Sequence, residues 1–171
     1  MNILLTTKLP IEGFTSISEH NIIMPEAPKF TPEELTARLA DADILLSTFD
    51  YKITAEMIAA APNLKLITNF GVGFNNVDIA AARDRGIPVT NTPGPVIEPT
   101  AEHAFTLMLA ICHRTAELDR RMREPNSNIE FGVMNNLGIA IYGKTLGIIG
   151  MGNIGQSIAG RAVACGMKII Y

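Results

Sequence analysis

The chain has 171 residues, of which 47% are hydrophobic and 18% charged, and its net charge is −3. This composition is typical of one ordinary globular domain, or of a small domain with part of another, and the acidic balance does not favour nucleic acid or an anionic membrane surface as a partner. The first residues become polar too quickly for a signal peptide, and the longest apolar stretch, around residues 105–112, is far shorter than a membrane span.

Short β-rich runs alternate with helical patterns over roughly the first 90 residues, which predicts a doubly wound parallel sheet in an α/β fold. The strands are predicted at residues 2–7, 21–24, 43–48, 64–70 and 87–91. The helices are predicted at residues 31–42, 54–62 and 76–86. Thr31 and Glu34 fit a capping box at the start of the first helix, and Gly86 fits the end of the last. The strands are continuous apolar runs, which predicts that both faces of the sheet are covered.

A long helix is predicted from Pro99 to Arg123, about 37 Å at ~1.5 Å per residue. Its first half is apolar nearly all round, which predicts burial on most sides. Its second half is charged, and we interpret that end as a solvated helix terminus because cations there oppose the helix dipole. A helix of this length can cross between domains or subunits.

The stretch "GIAIYGKTLGIIGMGNIG" (138–155) contains two glycine motifs. Gly138-x-x-x-x-Gly143-Lys144-Thr145 fits the phosphate loop of ATPases, which requires a helix beginning at its Lys-Thr. The pattern that follows Thr145 predicts a strand at 145–149 instead. We therefore interpret this match as accidental.

The second motif, Gly150-x-Gly152-x-x-Gly155, fits the dinucleotide fingerprint. It follows the strand at 145–149, opens a predicted helix at 153–166 and precedes a strand at 168–171, which is the expected βαβ context. The glycines permit a tight turn, close approach of a pyrophosphate and close helix packing, while the amides of Asn153 and Ile154 would face phosphate. The alternative is a glycine-rich turn that only packs a helix on a sheet.

A further glycine turn, within "NFGVGFNNVD" (69–78), follows the fourth strand. Ligands of α/β sheets bind at the carboxyl ends of strands, so outward-facing amides of Val72 and Gly73 could hold a carboxylate. The alternative is an ordinary turn leading to a helix cap at Asn76, and the residues alone favour this second interpretation.

Groups that would complete a site are missing from the sequence. The fingerprint expects an acidic residue about 20 positions onward to hold the ribose, but no Asp or Glu follows Glu130. His20 is expected to be solvated, His103 packed on its helix and His113 part of the charged helix end. No nucleophile, metal cluster or paired carboxylate is evident, so we predict no catalytic or metal-binding residue in this chain. The two cysteines, Cys112 and Cys165, are expected to be reduced core thiols of a cytoplasmic protein.

Three stretches in order carry a resemblance to a known family: "NFGVGFNNVDIAAARDRGIPVTNTPG", "TAEHAFTLMLA" and "GKTLGIIGMGNIGQSIAGRAVACGMKIIY". Together they closely resemble the D-isomer-specific 2-hydroxyacid dehydrogenases, a family that includes glyoxylate/hydroxypyruvate reductases, phosphoglycerate dehydrogenases and formate dehydrogenases. The resemblance implies a flavodoxin-like substrate domain at 1–98 and an interdomain helix at 99–124, which in the family helps to build a homodimer through residues 99–123. It also implies a connecting loop at 125–144 and the truncated start of a Rossmann-type domain at 145–171.

The family resemblance further implies NAD or NADP as cofactor and a small 2-keto or 2-hydroxy acid as substrate. Val72 and Gly73 would meet the substrate carboxylate, and Val72 also the nicotinamide end. The implied pyrophosphate site comprises Gly150, Gly152, Asn153, Ile154 and Gly155. Ile97 departs from the family, many members of which have a Thr or Ser there that contacts the cofactor.

The family's catalytic Arg, Glu and His lie beyond residue 171, so we expect the 171-residue chain alone to be inactive. The alternative is a non-catalytic nucleotide-sensing or dimerisation module of the same family.

Overall fold

The computed structural model of the chain describes residues 1–127, 129–130 and 132–171. The chain divides into two compact units, Met1–Gly94 and Pro95–Tyr171. The predicted connecting loop at 125–144 includes Asn128 and Phe131, which lie outside the described residues.

The first unit is built on a parallel sheet of five strands. They are β1 (Asn2–Leu5), β2 (Asn21–Ile23), β3 (Ile44–Thr48), β4 (Leu66–Phe70) and β5 (Val89–Asn91). All pairs are parallel and the spatial order is β2-β1-β3-β4-β5, which is the flavodoxin order. The predicted parallel α/β sheet is therefore confirmed, and its carboxyl ends lie along one edge.

The connections of this unit are helical. They include a 3-10 helix (Ile11–Ile17), α1 (Pro32–Leu39), α2 (Ala55–Ala59) and α3 (Ile79–Asp84). The capping box of α1 is confirmed, since Thr31 Oγ1 accepts from the Glu34 N–H at 3.2 Å and the Glu34 carboxylate accepts from the Thr31 N–H at 2.9 Å. The cap of α3 is Asp78, whose side chain accepts from the Ala81 N–H at 2.9 Å. The predicted cap at Asn76 is wrong, because the Asn76 side chain is used elsewhere.

The core of the first unit lies between the central strands and these helices. Its fully buried side chains include Leu4, Leu35, Leu45, Ile58 and Ile67. Burial of each such side chain is worth roughly 1.5–3 kcal/mol. The central strands β1, β3 and β4 are thus held rigidly, and the edge strands β2 and β5 are more exposed.

The second unit begins with two helices, α4 (Ile97–Cys112) and α5 (Thr115–Arg123), so the prediction of one continuous helix is wrong. The chain breaks at Arg114, which adopts the left-handed conformation with φ 54°. The Cys112 carbonyl accepts from the Ile139 N–H at 2.7 Å, and the Arg114 guanidinium pairs with Glu117. The last residue of α4 is therefore hydrogen-bonded to a segment that is distant in the sequence.

The expected burial of the first half of the long helix is also wrong. Ala101 is the only α4 residue in the buried class, while Leu107 is 50% and Ile111 77% exposed. An apolar helix face is consequently left uncovered within the chain as described.

The carboxyl-terminal part forms a βαβ unit from β6 (Thr145–Gly147), α6 (Asn153–Ala164) and β7 (Lys168–Ile170), with β6 and β7 parallel. The strand β6 ends two residues before its predicted limit at 149. Cys165, at the end of α6, is exposed and Cys112 is half-buried, so the expectation of core thiols is wrong. No helix within the described ranges combines the length and apolarity that crossing a bilayer requires.

Candidate functional site

The first candidate element is the β4 turn, residues 71–73, which follows the strand next to the edge strand β5. The Gly71 N–H donates to Thr92 Oγ1 at 2.9 Å. The Val72 carbonyl accepts from Asn91 Nδ2 at 2.7 Å, and the Gly73 carbonyl accepts from Asn69 Nδ2 at 2.6 Å. The carbonyls of Val72 and Gly73 are thus held by side-chain amides of the neighbouring strands.

The N–H groups of Val72 and Gly73 differ from the carbonyls of these residues in their hydrogen bonding. Among the described residues, neither donates to a protein acceptor, and both residues are exposed. Two adjacent free donors at the carboxyl end of a parallel strand are suited to a carboxylate, which accepts charge-assisted hydrogen bonds. The geometry therefore permits the role predicted for Val72 and Gly73.

Apolar side chains surround the β4 turn. A Cβ on Gly71 would lie 2.9 Å from Phe49 Cβ, so glycine is needed where the Phe49 side chain packs, whereas a Cβ on Gly73 meets nothing within 4 Å. Phe49, Phe70 and Phe74 are all exposed near this edge. The β4 turn therefore has exposed aromatic side chains near it.

The second candidate element is the α6 turn, residues 150–155. Gly150 has a φ of 96°, which an L side chain rarely adopts. A Cβ on Gly155 would clash with the Gly150 carbonyl oxygen, while a Cβ on Gly152 meets nothing within 4 Å. The three glycines therefore have three different roles, which are a turn, an open approach and a close backbone contact.

The amides that open α6 are the candidate phosphate donors. The first intrahelical bond runs from the Gln156 N–H to the Gly152 carbonyl at 2.9 Å. The preceding N–H groups of Asn153 and Ile154 have no such partner, as is general for a helix start, and they carry the positive end of the helix dipole. These are the properties of an anion-binding helix terminus.

The phosphate-loop match is excluded by the structure. Gly143 and Lys144 lie in a turn closed by the Lys144 N–H on the Ile141 carbonyl at 3.0 Å, and β6 begins at Thr145. No helix follows the Lys-Thr pair, so the interpretation of this motif as accidental is confirmed.

The histidines of the described ranges do not come together in one site. His103 is exposed, so the prediction that it packs on its helix is wrong, and His113 is the exposed residue that ends α4. His20 pairs with the neighbouring Glu19 at 3.6 Å, just before β2 begins and hence at the edge of the sheet opposite the strand carboxyl ends. Within the described ranges no cluster of three His, Cys, Asp or Glu could hold a metal ion.

An ion pair joins α4 to α6. Arg161 Nη2 donates to Glu98 Oε2 at 2.8 Å, and Ser157 Oγ donates to Glu98 Oε1 at 2.8 Å. The Arg161 guanidinium, and then the Ser157 hydroxyl, hold the pKa of the Glu98 carboxyl below its ordinary value. Ile97 is half-buried at the start of α4.

Sequence reasoning missed the side chains that hold the β4 turn, namely Asn69, Asn91 and Thr92. Asn69 and Asn91 lie at the carboxyl ends of neighbouring strands, and polar side chains at that edge are the signal that could have indicated them. Their partners are carbonyls and a glycine amide, which no spacing in the sequence reveals.

Comparisons with known proteins agree on one family. A family model described as D-isomer specific 2-hydroxyacid dehydrogenase, catalytic domain, matches residues 3–163. A glyoxylate reductase from Korarchaeum cryptofilum is 40% identical over 172 residues, which cover 99% of this chain and 52% of that protein. The chain therefore spans about half the length of the curated relatives it matches.

Solved structures show the same relationship. The TT0316 protein from Thermus thermophilus matches with a TM-score of 0.89 at 36% identity, over 100% of this chain and 55% of that one. An NAD complex of formate dehydrogenase from Staphylococcus aureus matches at 0.78 and 29% identity, over 99% and 55%. The acyclic imino acid reductase Bsp5, in complex with NADPH and D-Arg, matches at 0.82 and 28% identity, over 98% and 54%.

Proposed function

This chain belongs to the D-isomer-specific 2-hydroxyacid dehydrogenase family, and we propose that it is part of an oxidoreductase that transfers a hydride between NAD or NADP and a small 2-hydroxy or 2-keto acid. The observation that carries the proposal is the contrast within the α6 turn. A Cβ on Gly152 would meet no atom within 4 Å, whereas a Cβ on Gly155 would clash with the Gly150 carbonyl oxygen. A glycine that no packing contact requires, at a helix start with free amides, is explained by a ligand that needs the space.

The α6 turn is proposed as the pyrophosphate site of the cofactor, with Gly150, Gly152 and Gly155 shaping the backbone and Asn153 and Ile154 donating their N–H groups. These residues fit the group, because the α6 start supplies donors and Gly152 supplies room. The nicotinamide would supply the hydride when bound. NAD and NADP are both supported, since similar solved structures are complexes with NAD or with NADPH.

The β4 turn is proposed as the substrate site. The free N–H groups of Val72 and Gly73 would hold the carboxylate of a 2-keto acid such as glyoxylate, and Val72 would also contact the nicotinamide end. The support is geometric, because the carbonyls of the same two residues are engaged by Asn91 and Asn69 and only the amides remain for a ligand.

We keep the predicted domain roles as part of the proposal. Residues 1–98 form the substrate domain, 99–124 the interdomain and dimer helices, 125–144 the connection and 145–171 the start of the cofactor domain. The exposed apolar face of α4 supports a homodimer through 99–123 in a cytoplasmic enzyme.

The chain by itself is proposed to be inactive. Proton transfer to the substrate oxygen needs a group such as a histidine tuned by a carboxylate. In the described part of the chain the only histidine–carboxylate pair is His20 with Glu19, at the wrong edge of the sheet for the β4 turn.

Calorimetric titration of the purified chain with NAD and with NADP tests the cofactor site. We expect binding weaker than micromolar, because no Asp or Glu after Glu130 is present to hold the ribose. Gly152→Ala should abolish it, since the new methyl group fits the free protein but occupies the space of the pyrophosphate. Gly160→Ala, on the same helix and equally free of contacts, is the control and should bind like the wild type.

Two outcomes change the proposal. Absence of binding at millimolar cofactor, or equal binding by the Gly152→Ala variant, would remove the cofactor site. Micromolar binding without glyoxylate-dependent NADH or NADPH oxidation would favour the nucleotide-sensing module, and measured oxidation would contradict the proposed inactivity of the chain.

A further inference from the structure

Asn69, on β4, has a buried side chain with a complete set of hydrogen bonds. Its Oδ1 accepts from Ser47 Oγ at 2.7 Å and from Asn76 Nδ2 at 3.0 Å. Its Nδ2 donates to Asn76 Oδ1 at 3.2 Å and to the Gly73 carbonyl at 2.6 Å. A primary amide has two donors and two acceptor lone pairs, so every capacity of Asn69 is used.

The contacts between Asn69 and Asn76 form a reciprocal amide pair, in which each side chain donates to the other. Asn76 is itself held, because its Nδ2 also lies 3.1 Å from the Thr48 carbonyl and 3.0 Å from the Tyr51 carbonyl. These carbonyls belong to the end of β3 and to the segment before α2. The pair therefore ties the β4 turn to the neighbouring strand end.

This arrangement permits only one orientation of the Asn69 amide. Asn76 Nδ2 can only donate and so must meet Asn69 Oδ1, while the Gly73 carbonyl can only accept and so must meet Asn69 Nδ2. The Ser47 hydroxyl then donates to Oδ1. Fully satisfied buried networks of this kind are rigid, since any rotation leaves a buried polar group without a partner. The Gly73 carbonyl is thereby directed inward.

We propose that Asn69, oriented by Asn76, is a positioning residue that holds the β4 turn with the Val72 and Gly73 N–H groups facing the substrate carboxylate. The inference rests on the proposed substrate role of this turn. Asn91 assists by engaging the Val72 carbonyl, but it is exposed and lies outside the amide pair. Asn69 thus acts on the substrate through the backbone it orients.

The test compares Asn69→Leu with Asn75→Leu in the ¹⁵N-labelled 171-residue chain, using glyoxylate as the probe. Leucine resembles asparagine in size but makes none of the four hydrogen bonds. Asn75 is the adjacent exposed residue and has no side-chain hydrogen bond among the described residues, so its replacement is a matched control. The shifts of the Val72 and Gly73 amide resonances report glyoxylate binding, and order parameters of residues 71–74 report the turn itself.

In the Asn69→Leu variant we expect the half-saturating glyoxylate concentration to rise at least about tenfold, the effect of losing a preorganised hydrogen bond. Without ligand, the order parameters of the turn should fall from about 0.85 to below about 0.6. Both values should stay unchanged in the Asn75→Leu variant. Should Asn69→Leu fail to fold, Asn76→Ser removes the reciprocal pair from its partly exposed side and should change both values in the same direction.

A lower urea midpoint for Asn69→Leu with unchanged glyoxylate half-saturation and unchanged order parameters would overturn the inference, since the amide would then only stabilise the fold. If glyoxylate shifts no turn resonance in the wild type while the variant still loses order, the positioning role stands and the proposed substrate role of the turn fails. The two proposals are therefore tested separately.

Discussion

At the scale of single residues, the two turns depend on glycines that are needed for different reasons. Gly71 and Gly155 have no room for a Cβ, because the Phe49 side chain lies against Gly71 and the Gly150 carbonyl lies against Gly155. Gly152 and Gly73 have room in the chain itself. At Gly71 and Gly155 glycine is therefore required by packing, whereas at Gly152 and Gly73 it leaves space beside amides that are candidates for ligand binding.

This distinction predicts opposite effects of two substitutions on α6. Gly155→Ala should lower the free energy of unfolding by about 1–3 kcal/mol, because the new methyl group cannot avoid the Gly150 carbonyl. Gly160→Ala has open space and should raise it by about 0.5–1 kcal/mol through helix propensity. Urea unfolding followed by circular dichroism measures both, and equal effects of the two substitutions would contradict the packing role of Gly155.

At the scale of elements, α4 makes tertiary hydrogen bonds at both of its ends. Its beginning is tied to α6 through Glu98, Arg161 and Ser157, and its end is set where the Cys112 carbonyl accepts from Ile139. Helical propensity continues through residues 113–114, but the tertiary hydrogen bond and the left-handed Arg114 separate α4 from α5. The ends of these helices are therefore tertiary features.

The ion pair between α4 and α6 predicts a pH dependence. The pKa of Glu98 is lowered in the folded chain by Arg161, so its stabilising contribution is fully present above the ordinary glutamate pKa of about 4.3 and is lost as the pH falls through the lowered folded pKa. Glu98→Gln should remove this dependence. The difference in thermal midpoint between wild type and variant should therefore become smaller as the pH is lowered from 6 to 3.

The matched control is Glu102→Gln, on the same helix, because Glu102 forms no ion pair within the described part of the chain. Its thermal midpoint should follow the wild type at every pH. A Glu98→Gln difference that is constant with pH would show that the contact acts through packing and not through the carboxylate charge.

At the scale of the whole molecule, the two units differ in how completely they cover their apolar surface. The first unit encloses a five-stranded sheet, but in the second the apolar face of α4 and residues of the β6–β7 unit such as Ile149 and Ile170 are exposed. Exposed apolar side chains grouped on one helix face are a feature of protein interfaces. The proposed homodimer is one way in which the α4 face is covered.

The proposed dimer predicts that Ile111→Asp weakens self-association at least tenfold, because a carboxylate would be desolvated in the interface. Sedimentation velocity over a range of concentrations measures the change. Ile11→Asp, an equally drastic change at an exposed site of the first unit, is the control and should associate like the wild type. A wild-type chain that stays monomeric throughout would exclude the dimer.

The parallel α/β class, the capping box at Thr31 and the rejection of the phosphate-loop match were predictable from the sequence alone. These features depend on local patterns, since apolar runs, cap residues and glycine spacing act within a few residues of one another. Each of these features can therefore be predicted from residues that are close together in the sequence. The site roles of Val72, Gly73 and the α6 turn stay predictions, although each turn has the free amides that those roles need.

The end of α4, the exposure of its residues and the contacts that hold the β4 turn depend on the tertiary structure. Asn69 contacts Ser47 because β3 and β4 end at the same edge of the sheet, and the Cys112 carbonyl meets Ile139 because the chain returns to it. Such contacts join residues distant in sequence, and a polar side chain looks the same in the sequence whether it is solvated or fully paired. The orientation of the two candidate amides is for this reason a property of the fold.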